Sequence, residues 1–380
     1  MENISPEISI ILPCRNEEAA LDHCISQIKE VVEKNRLNAE IIVSDSSTDS
    51  SPEIARRHGV VLVKHDKEGY GNAYLEGFKR AKGKYIFMAD ADGTYDFNEI
   101  PAFISHLRNG YDFVLGDRFG GRMEKKAMPP SHRYLGNPVL SFTLRLFFRT
   151  KVHDAHCGMR TIKRESLSKL NLQTKGMEFA SEMVISALKN NLKIKEVPVD
   201  YHRRRGESKI RPFRDAWRHM RFMLLYSPMY LFFLPGLFLL LLGLGTLVWF
   251  YFYNPNIFGL QFYSYPMFIS SLLVLVGYQL IIFSAFARSY GVIHLGEKSP
   301  FIEKIYRYIT IEKAMLFGGI ALLAGLGIFV YMLVLWINSR FNSLGELKNA
   351  ILALTLIVLG IQTVFSAFML SIIGIRNKNP

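Results

Sequence analysis

The chain has 380 residues, 49% of them hydrophobic, and a formal net charge of +13. That length leaves room for two or three domains, and the three cysteines, Cys14, Cys24 and Cys157, follow no metal-site spacing and call for no disulfide. Eight Lys/Arg against two acids fall in Tyr201–Arg221, beside a long apolar run, so the basic patch suits an anionic lipid headgroup or a phosphate and argues against nucleic acid.

In chain order, apolar runs predict strands at Ile8–Leu12, Ile41–Ser44, Val60–Val63, Tyr85–Met88 and Phe113–Leu115. Helical patterns at Glu17–Asn35, Ser51–His58 and Tyr70–Ala81 separate the first four. Alternation of this kind specifies an α/β fold with a mostly parallel sheet and right-handed connections. Such sheets bind ligands at the carboxyl ends of their strands. That selects the loops Pro13–Glu17, Asp45–Asp49, Lys67–Asn72 and Asp90–Tyr95. In the first, Arg15 suits a phosphate at a helix N-terminus and Glu17 suits a base or ribose, although an acidic first turn that only caps the helix accounts for it too. In SDSSTD, Asp45 is a spare carboxylate after the second strand. Gly69 and Gly71 allow a ligand to approach the backbone before the third helix.

Asp90-Ala91-Asp92 is the sharpest signal. Two carboxylates at i and i+2 on an extended chain point the same way. One or two carboxylates plus substrate phosphates are the usual ligands of Mg²⁺ or Mn²⁺. His153 and His156, which flank Asp154, make a far less specific metal pattern.

Further on, Pro138–Thr150 is apolar with Arg145 and Arg149, and reads equally as an interfacial helix or a buried one. Arg211, Arg214, Arg218 and Arg221 share one helix face, which predicts an interfacial helix over residues 211–228. Four uncharged runs follow, Met229–Tyr253, Ser264–Ala287, Ala314–Trp336 and Asn349–Ile375, each long enough to cross a bilayer. Arg288–Lys313 carries five basic residues, Asn254–Tyr263 none, and Ile337–Lys348 two. By the positive-inside rule the N-terminal domain, the middle loop and the C-terminal tail are cytoplasmic. Met1–Pro6 leads straight into a strand, so no signal peptide is expected.

The motifs PCRNEE, IIVSDSSTD, GYGNAYLEGFKRAKG and MADADGTYD, in that order over residues 7–120, resemble the family 2 glycosyltransferases of GT-A fold. GDRFGG, RYLGNPVLS, DAHCGMR and RRRGESK extend the likeness over residues 1–215 to the dolichyl- or polyprenyl-phosphate sugar synthase branch. The resemblance implies a Rossmann-like catalytic domain over 1–210, the interfacial helix, and a transmembrane domain over 229–380 with four helices near 229–253, 264–287, 314–336 and 349–375. It implies an inverting, Mg²⁺- or Mn²⁺-dependent transfer of one hexose from a UDP- or GDP-sugar to dolichyl or polyprenyl phosphate, in an enzyme that is compatible with a homo-oligomer. Pro13, Arg15, Glu17, Asp45 and Gly71 would line the nucleotide-sugar pocket, and Asp90 and Asp92 would hold the metal and diphosphate. Arg118 and Arg133 would meet the acceptor phosphate or the diphosphate, Asp154 would close the active site, and Arg160 and Lys209 would add phosphate contacts. The chain departs from the pattern at Ser44, where many relatives have a first Asp of a pair, and at Thr94, where mannosyl-type relatives often have Gln. A QxxRW run, carried by processive synthases, is absent, which argues against polymerisation.

The acceptor decides what chemistry is required. A phosphate monoester, with a second pKa of about 6, is already anionic near neutrality. It needs arginines rather than a base. A sugar hydroxyl needs a base, and Asp154 is the candidate. A transporter with a nucleotide-binding domain is the rival from another class. The membrane runs contain no Asp, Glu, Lys or Arg, and only Gln279 and Gln362 are amides well inside them, which is thin material for a transport path. A nucleotidyltransferase would want a Gly- and Lys-rich triphosphate loop, which Lys67–Gly71 matches poorly.

Overall fold

ISIILPC, a continuous apolar run, forms strand β1 (Ile8–Cys14), whose residues are buried on both faces, as central parallel strands require. In the computed structural model the described residues are 5–206, 212–257, 259–294, 311–342 and 346–374, in two compact units that divide between Tyr226 and Ser227. The first unit continues with α1 (Glu18–Lys34), β2 (Ala39–Asp45), α2 (Ser51–Arg57), β3 (Val61–Lys64), α3 (Tyr70–Arg80), β4 (Tyr85–Met88), α4 (Ile100–Arg108) and β5 (Phe113–Asp117). Then come α5 (Asn137–Phe148), entered through a π-turn at His132–Gly136, β6 (Arg160–Lys163), α6 (Arg164–Leu167), α7 (Phe179–Lys189), β7 (Ile194–Pro198) and α8 (Pro212–Leu225).

The sheet order is β3-β2-β1-β4-β6-β5-β7. All neighbours are parallel except β6, which runs antiparallel to both β4 and β5. Alternation along β1 sorts the core into two layers. Ile8, Ile10, Leu12 and Cys14 pack with Leu21, Cys24 and Ile28 of α1 and with Phe103 of α4. Ile11 faces the other layer, with Tyr74 of α3, Leu144 of α5 and Phe179 of α7. Tyr74 stacks on Phe179 with ring centroids 5.6 Å apart. Burying each such ring contributes roughly 1.5–3 kcal/mol. Helix α3 lies close on the sheet because Gly77 has no side chain; a Cβ there would sit 2.7 Å from Cγ2 of Ile11.

The stretch expected at Pro138–Thr150 is helix α5, with Leu140 and Leu144 buried and Val139, Phe142 and Leu146 exposed. Helix α8 is similarly two-faced: His219, Phe222 and Met223 are buried, while Phe213 and Trp217 are 93% and 60% exposed. Of its arginines, Arg214 and Arg221 are exposed and Arg218 lies 3.8 Å from Asp215; Arg211 and Lys209 lie outside the described residues.

The second unit contains α9 (Leu234–Phe252), α10 (Pro266–His294), α11 (Ile311–Asn338) and α12 (Leu347–Gly374), with a short hairpin β8 (Asn256–Ile257) and β9 (Leu260–Gln261) after α9. The four apolar spans, Met229–Phe252, Pro266–Ile293, Glu312–Asn338 and Leu347–Ile373, follow the expected runs closely. Their faces are largely unburied, as lipid-facing helices require. Close approach is made by glycines, Gly236 against Gly277 and Gly318 against Gly360. Hydroxyl pairs cross between α10 and α12: Ser271 to Thr355 at 2.7 Å and Tyr278 to Thr363 at 2.6 Å.

Candidate active site

The carboxyl ends of β1, β2 and β4 lie side by side, with Pro13 opposite Ser44 and Cys14 opposite Asp45. SDSSTD is spent largely on fixing the loop after β1. Ser47 Oγ accepts from the Asn16 amide at 2.7 Å, Ser51 Oγ from the Glu17 amide at 3.0 Å, and Asp49 from the Glu18 amide at 3.1 Å. Arg15 ion-pairs with Glu68 at 2.7 Å. Ser44 donates to the Ala73 carbonyl at 2.6 Å and so ties β2 to α3. Asp45 is different. It is wholly buried, neither carboxylate oxygen has a hydrogen-bond partner among the described residues, and Lys64 is 3.6 Å away. Buried polar groups are ordinarily paired, so Asp45 is the residue here with unused bonding capacity for a ligand's N–H groups. Its neighbours Ser46, Ser47, Thr48, Lys64, His65 and Asp66 line an open groove.

Gly69 and Gly71 do not leave room for a ligand. A Cβ on Gly71 would collide with the Thr174 carbonyl, and one on Gly69 with that of Lys175. The amides of Gly71 and Asn72 donate to the carbonyls of Gly176 and Lys175. The expected ligand approach at Gly71 is therefore corrected: the glycines let α3 dock on the 174–176 backbone.

Asp90 and Asp92 lie just beyond β4, and burial, reinforced by the Asp92 charge, pushes Asp90 up to about 7 against the pull of Arg204, Tyr70 and Arg118. Gly158 is packed so tightly on the Asp90 carboxylate that a Cβ would sit 2.9 Å from its Cγ. Asp92 accepts from the Thr94 amide at 3.1 Å and the Thr94 hydroxyl at 2.6 Å, and Arg204 reaches its other oxygen at 3.0 Å. The same guanidinium pairs with Glu17 at 2.5 Å. Two hard carboxylates with an excess of buried negative charge fit Mg²⁺ or Mn²⁺. Among the described residues no group of three His, Cys, Asp or Glu could hold a metal alone, so such an ion needs a substrate's phosphates to complete its shell.

Arg118, just past the end of β5, and Asp154, in the loop before β6, come together. Asp154 accepts from Arg118 Nε at 2.6 Å, from Nη2 at 2.8 Å and from the Arg118 amide at 3.1 Å. Both are buried, at 7% and 0% exposure. Burial works against the Arg118 charge, but Asp154 outweighs it and holds the guanidinium well above its ordinary value. Glu196 of β7 braces the arrangement by accepting from the amides of His153 and Asp154. Arg160 corrects a second expectation. It is 1% exposed, and its guanidinium donates to the carbonyls of Cys157, Ala180 and Ala155 at 2.8, 2.9 and 3.2 Å. It is a clamp on the 154–158 loop rather than a phosphate contact. Arg133 lies in the π-turn with its guanidinium 5.5 Å from the Tyr134 ring.

Sequence reasoning missed Arg204, Tyr70, Tyr95 and Gly158. Tyr95 accepts from the Gly158 amide at 2.7 Å and so fixes the backbone that backs Asp90. The 200–206 segment folds along the Asp pair: the amides of His202 and Arg205 donate to the carbonyls of Thr94 and Asp92 at 2.9 Å. The available signal was the motifs themselves, since RRRGESK contains Arg204 and DAHCGMR contains Gly158. The three thiols are excluded from chemistry, because burial pushes Cys14, Cys24 and Cys157 up to about 12. His153 and His156 do not form a metal site: His153 lies 3.8 Å from Asp117, and His156 faces Ser181.

Comparison with known proteins places the chain in a family. Residues 9–170 match the glycosyl transferase family 2 model, and residues 285–374 match the glycosyltransferase family 2 C-terminal transmembrane region. The chain is 38% identical over 375 residues to the low-salt glycan biosynthesis hexosyltransferase Agl6 of Haloferax volcanii, covering 98% of this chain and 90% of that one. It is 30% identical over 207 residues to the dolichyl-phosphate hexose transferase of the same organism, covering 54% of this chain and 88% of that one. Among solved structures, glucosyl-3-phosphoglycerate synthase from Mycobacterium tuberculosis, in complex with Mn²⁺, UDP and glucosyl-3-phosphoglycerate, superposes with a TM-score of 0.48 at 21% identity, covering 58% of this chain and 80% of that one. The chain belongs to glycosyltransferase family 2 and is a membrane-bound glycosyltransferase.

Proposed function

We infer that the enzyme transfers a single hexose, with inversion, from a nucleoside-diphosphate sugar to a dolichyl or polyprenyl phosphate at the cytoplasmic face of the membrane. The observation that carries the choice of acceptor is the Arg118–Asp154 pair. Asp154 is the carboxylate that a hydroxyl acceptor would need as its base, yet both its oxygens are engaged by Arg118. A phosphate acceptor needs no base, because its attacking oxygen is already anionic near neutral pH. The names of the two Haloferax relatives, a hexosyltransferase and a dolichyl-phosphate hexose transferase, support the same reading.

In this reading Asp45 receives the nucleobase, and Asp90 and Asp92 bind a divalent cation together with the donor diphosphate. The cation, when bound, neutralises charge on the departing diphosphate. Arg204, already in contact with Asp92 and Glu17, adds cationic charge beside that diphosphate. Arg118 and Arg133 orient the acceptor phosphate, with Arg118 held in one rotamer by Asp154. An acceptor oxygen forms the new bond to the sugar C1 as the bond from C1 to the diphosphate oxygen breaks, and the nucleoside diphosphate departs with the electron pair. No proton changes hands. The distribution of Lys and Arg supports a cytoplasmic catalytic unit and C-terminus. The exposed apolar faces of α5 and α8 suit the headgroup region.

Purified protein is incubated with a panel of radiolabelled UDP- and GDP-sugars and a polyprenyl phosphate, with Mg²⁺ or Mn²⁺ and with EDTA. A metal-dependent, organic-extractable product from one donor supports the reading and names the sugar. Donor binding without product on any polyprenyl phosphate, but with product on a glycolipid hydroxyl, refutes it.

A further inference from the structure

The loop that carries Asp154 and presses Gly158 on Asp90 is held from a second side by a polar chain buried in the layer formed by α7 and α8. His156 Nε2 lies 3.0 Å from Ser181 Oγ, and Ser181 Oγ lies 2.8 Å from Nδ1 of His219 on α8. The two imidazoles meet edge to face, with centroids 4.5 Å apart. Ser181 is fully buried and His219 is 6% exposed. Next to them, Arg160 bonds the carbonyls of Ala155, Cys157 and Ala180, so one arginine and one serine join the same stretch of α7 to the same loop. Ser181 has one proton for two ring nitrogens. His156 Nδ1 is buried and has no hydrogen-bond partner among the described residues. If His156 Nε2 carries the proton and donates to Ser181, the orphan Nδ1 is only an unused acceptor. The opposite direction would bury an unsatisfied N–H, the more costly arrangement. The chain therefore runs from His156 N–H to Ser181, and from the Ser181 O–H to His219. Both rings are neutral, since burial pushes His219 to about 4 and His156 well below its ordinary range.

The same helix turns Phe213 and Trp217 outward. Whatever seats that face sets the position of His219, and the His219–Ser181–His156 chain passes the position to the catalytic loop. We propose that His219, acting through Ser181 and His156, is a positioning residue that couples the seating of α8 on an anionic bilayer surface to the placement of Asp154 and Asp90. This rests on the active-site reading above.

The test compares full-length wild type with Ser181→Ala, His219→Phe and His219→Asn, the last retaining an acceptor near the position of Nδ1. Hydrogen exchange of the 153–159 amides is followed in detergent and on vesicles containing anionic lipid, alongside kcat and donor affinity. Vesicles should slow exchange of this loop in wild type and in His219→Asn. They should leave it unchanged in Ser181→Ala and His219→Phe, which should lose about tenfold or more in kcat with donor affinity intact, the scale expected from displacing reactive groups by less than 1 Å. Loop exchange that responds to vesicles equally in all four proteins overturns the proposal, as does an undiminished kcat in both Ser181→Ala and His219→Phe. If wild type proves inactive on every polyprenyl phosphate, the exchange comparison still decides the coupling, so failure of the acceptor reading is told apart from failure of this one.

Discussion

Replacing Gly158 by alanine tests the catalytic geometry most directly. The added Cβ would collide with Asp90 Oδ2, and would lie 2.9 Å from Cγ and 3.1 Å from Oδ1, where ordinary contact begins at 3.4 Å. Gly158 cannot easily retreat, because its amide is bonded to Tyr95 and its neighbour Cys157 is held by Arg160. The carboxylate must therefore yield by about 1 Å, the shortfall at Oδ2, its closest atom. Overpacking of this kind costs about 1–3 kcal/mol in stability. A displacement of 1 Å costs about a hundredfold in rate, so a loss of about a hundredfold in kcat is expected. Mn²⁺ affinity, measured by calorimetry with nucleoside diphosphate present, should weaken along with it. Gly245→Ala on α9, where a Cβ meets nothing within 4 Å, is the control for handling. Wild-type kcat and Mn²⁺ affinity in a folded Gly158→Ala protein would refute the placement of Asp90 at the reacting centre.

Arg204→Gln should bind Mn²⁺ more tightly than wild type in the absence of nucleotide, since a competing cation is removed from Asp92, yet bind the donor more weakly; calorimetry showing neither change would discard the role given to Arg204. Arg160→Lys keeps the charge but not the three carbonyl bonds, and with charged hydrogen bonds contributing about 1.5–3 kcal/mol each the melting temperature should fall by several degrees with acceptor KM unchanged. A raised acceptor KM at unchanged melting temperature would restore Arg160 as a phosphate contact. Burial pushes His219 down to about 4 in the folded chain from its ordinary value near 6.5, so the unfolded chain binds more protons between those values. Stability should fall as pH is lowered through that window, by up to about 3 kcal/mol. His219→Asn should flatten the corresponding part of a melting-temperature profile against pH; an identical slope would show that the ring is not buried neutral.

The first five strands and three helices were legible because each strand is a short unbroken apolar run and each helix keeps a 3.6-residue stripe. The later sheet was not. RTIK of β6 and IKEVP of β7 mix charge with apolar residues, and nothing local says that β6 enters antiparallel between β4 and β5. The Asp pair was legible from its spacing and from the strand before it. Arg160 was misread because an arginine's burial depends on distant carbonyls that become neighbours only when α7 packs against the loop. Gly71 was misread for a related reason: glycine signals close approach, but the sequence does not say whether a ligand or residues 174–176 approach. The Asp154–Arg118 clamp needs β5 and the loop before β6 in register, so the resemblance could pair them with a site but not with each other.

The reversed strand β6 also governs when the enzyme can exist during synthesis. Asp90 and Asp92 emerge from the ribosome long before the partners that fix them: β6 and Gly158 come some seventy residues later, and Arg204 later still. Until then β4 presents an open hydrogen-bonding edge, the kind that invites pairing with other chains. Domains fold as units during translation, N-terminal first, and here the unit closes only once the chain reaches Tyr226, immediately before the first membrane span at Met229 leaves the ribosome. Completion of the active site and the start of membrane insertion are thus nearly the same event, and a nascent chain stalled earlier has carboxylates but no enzyme.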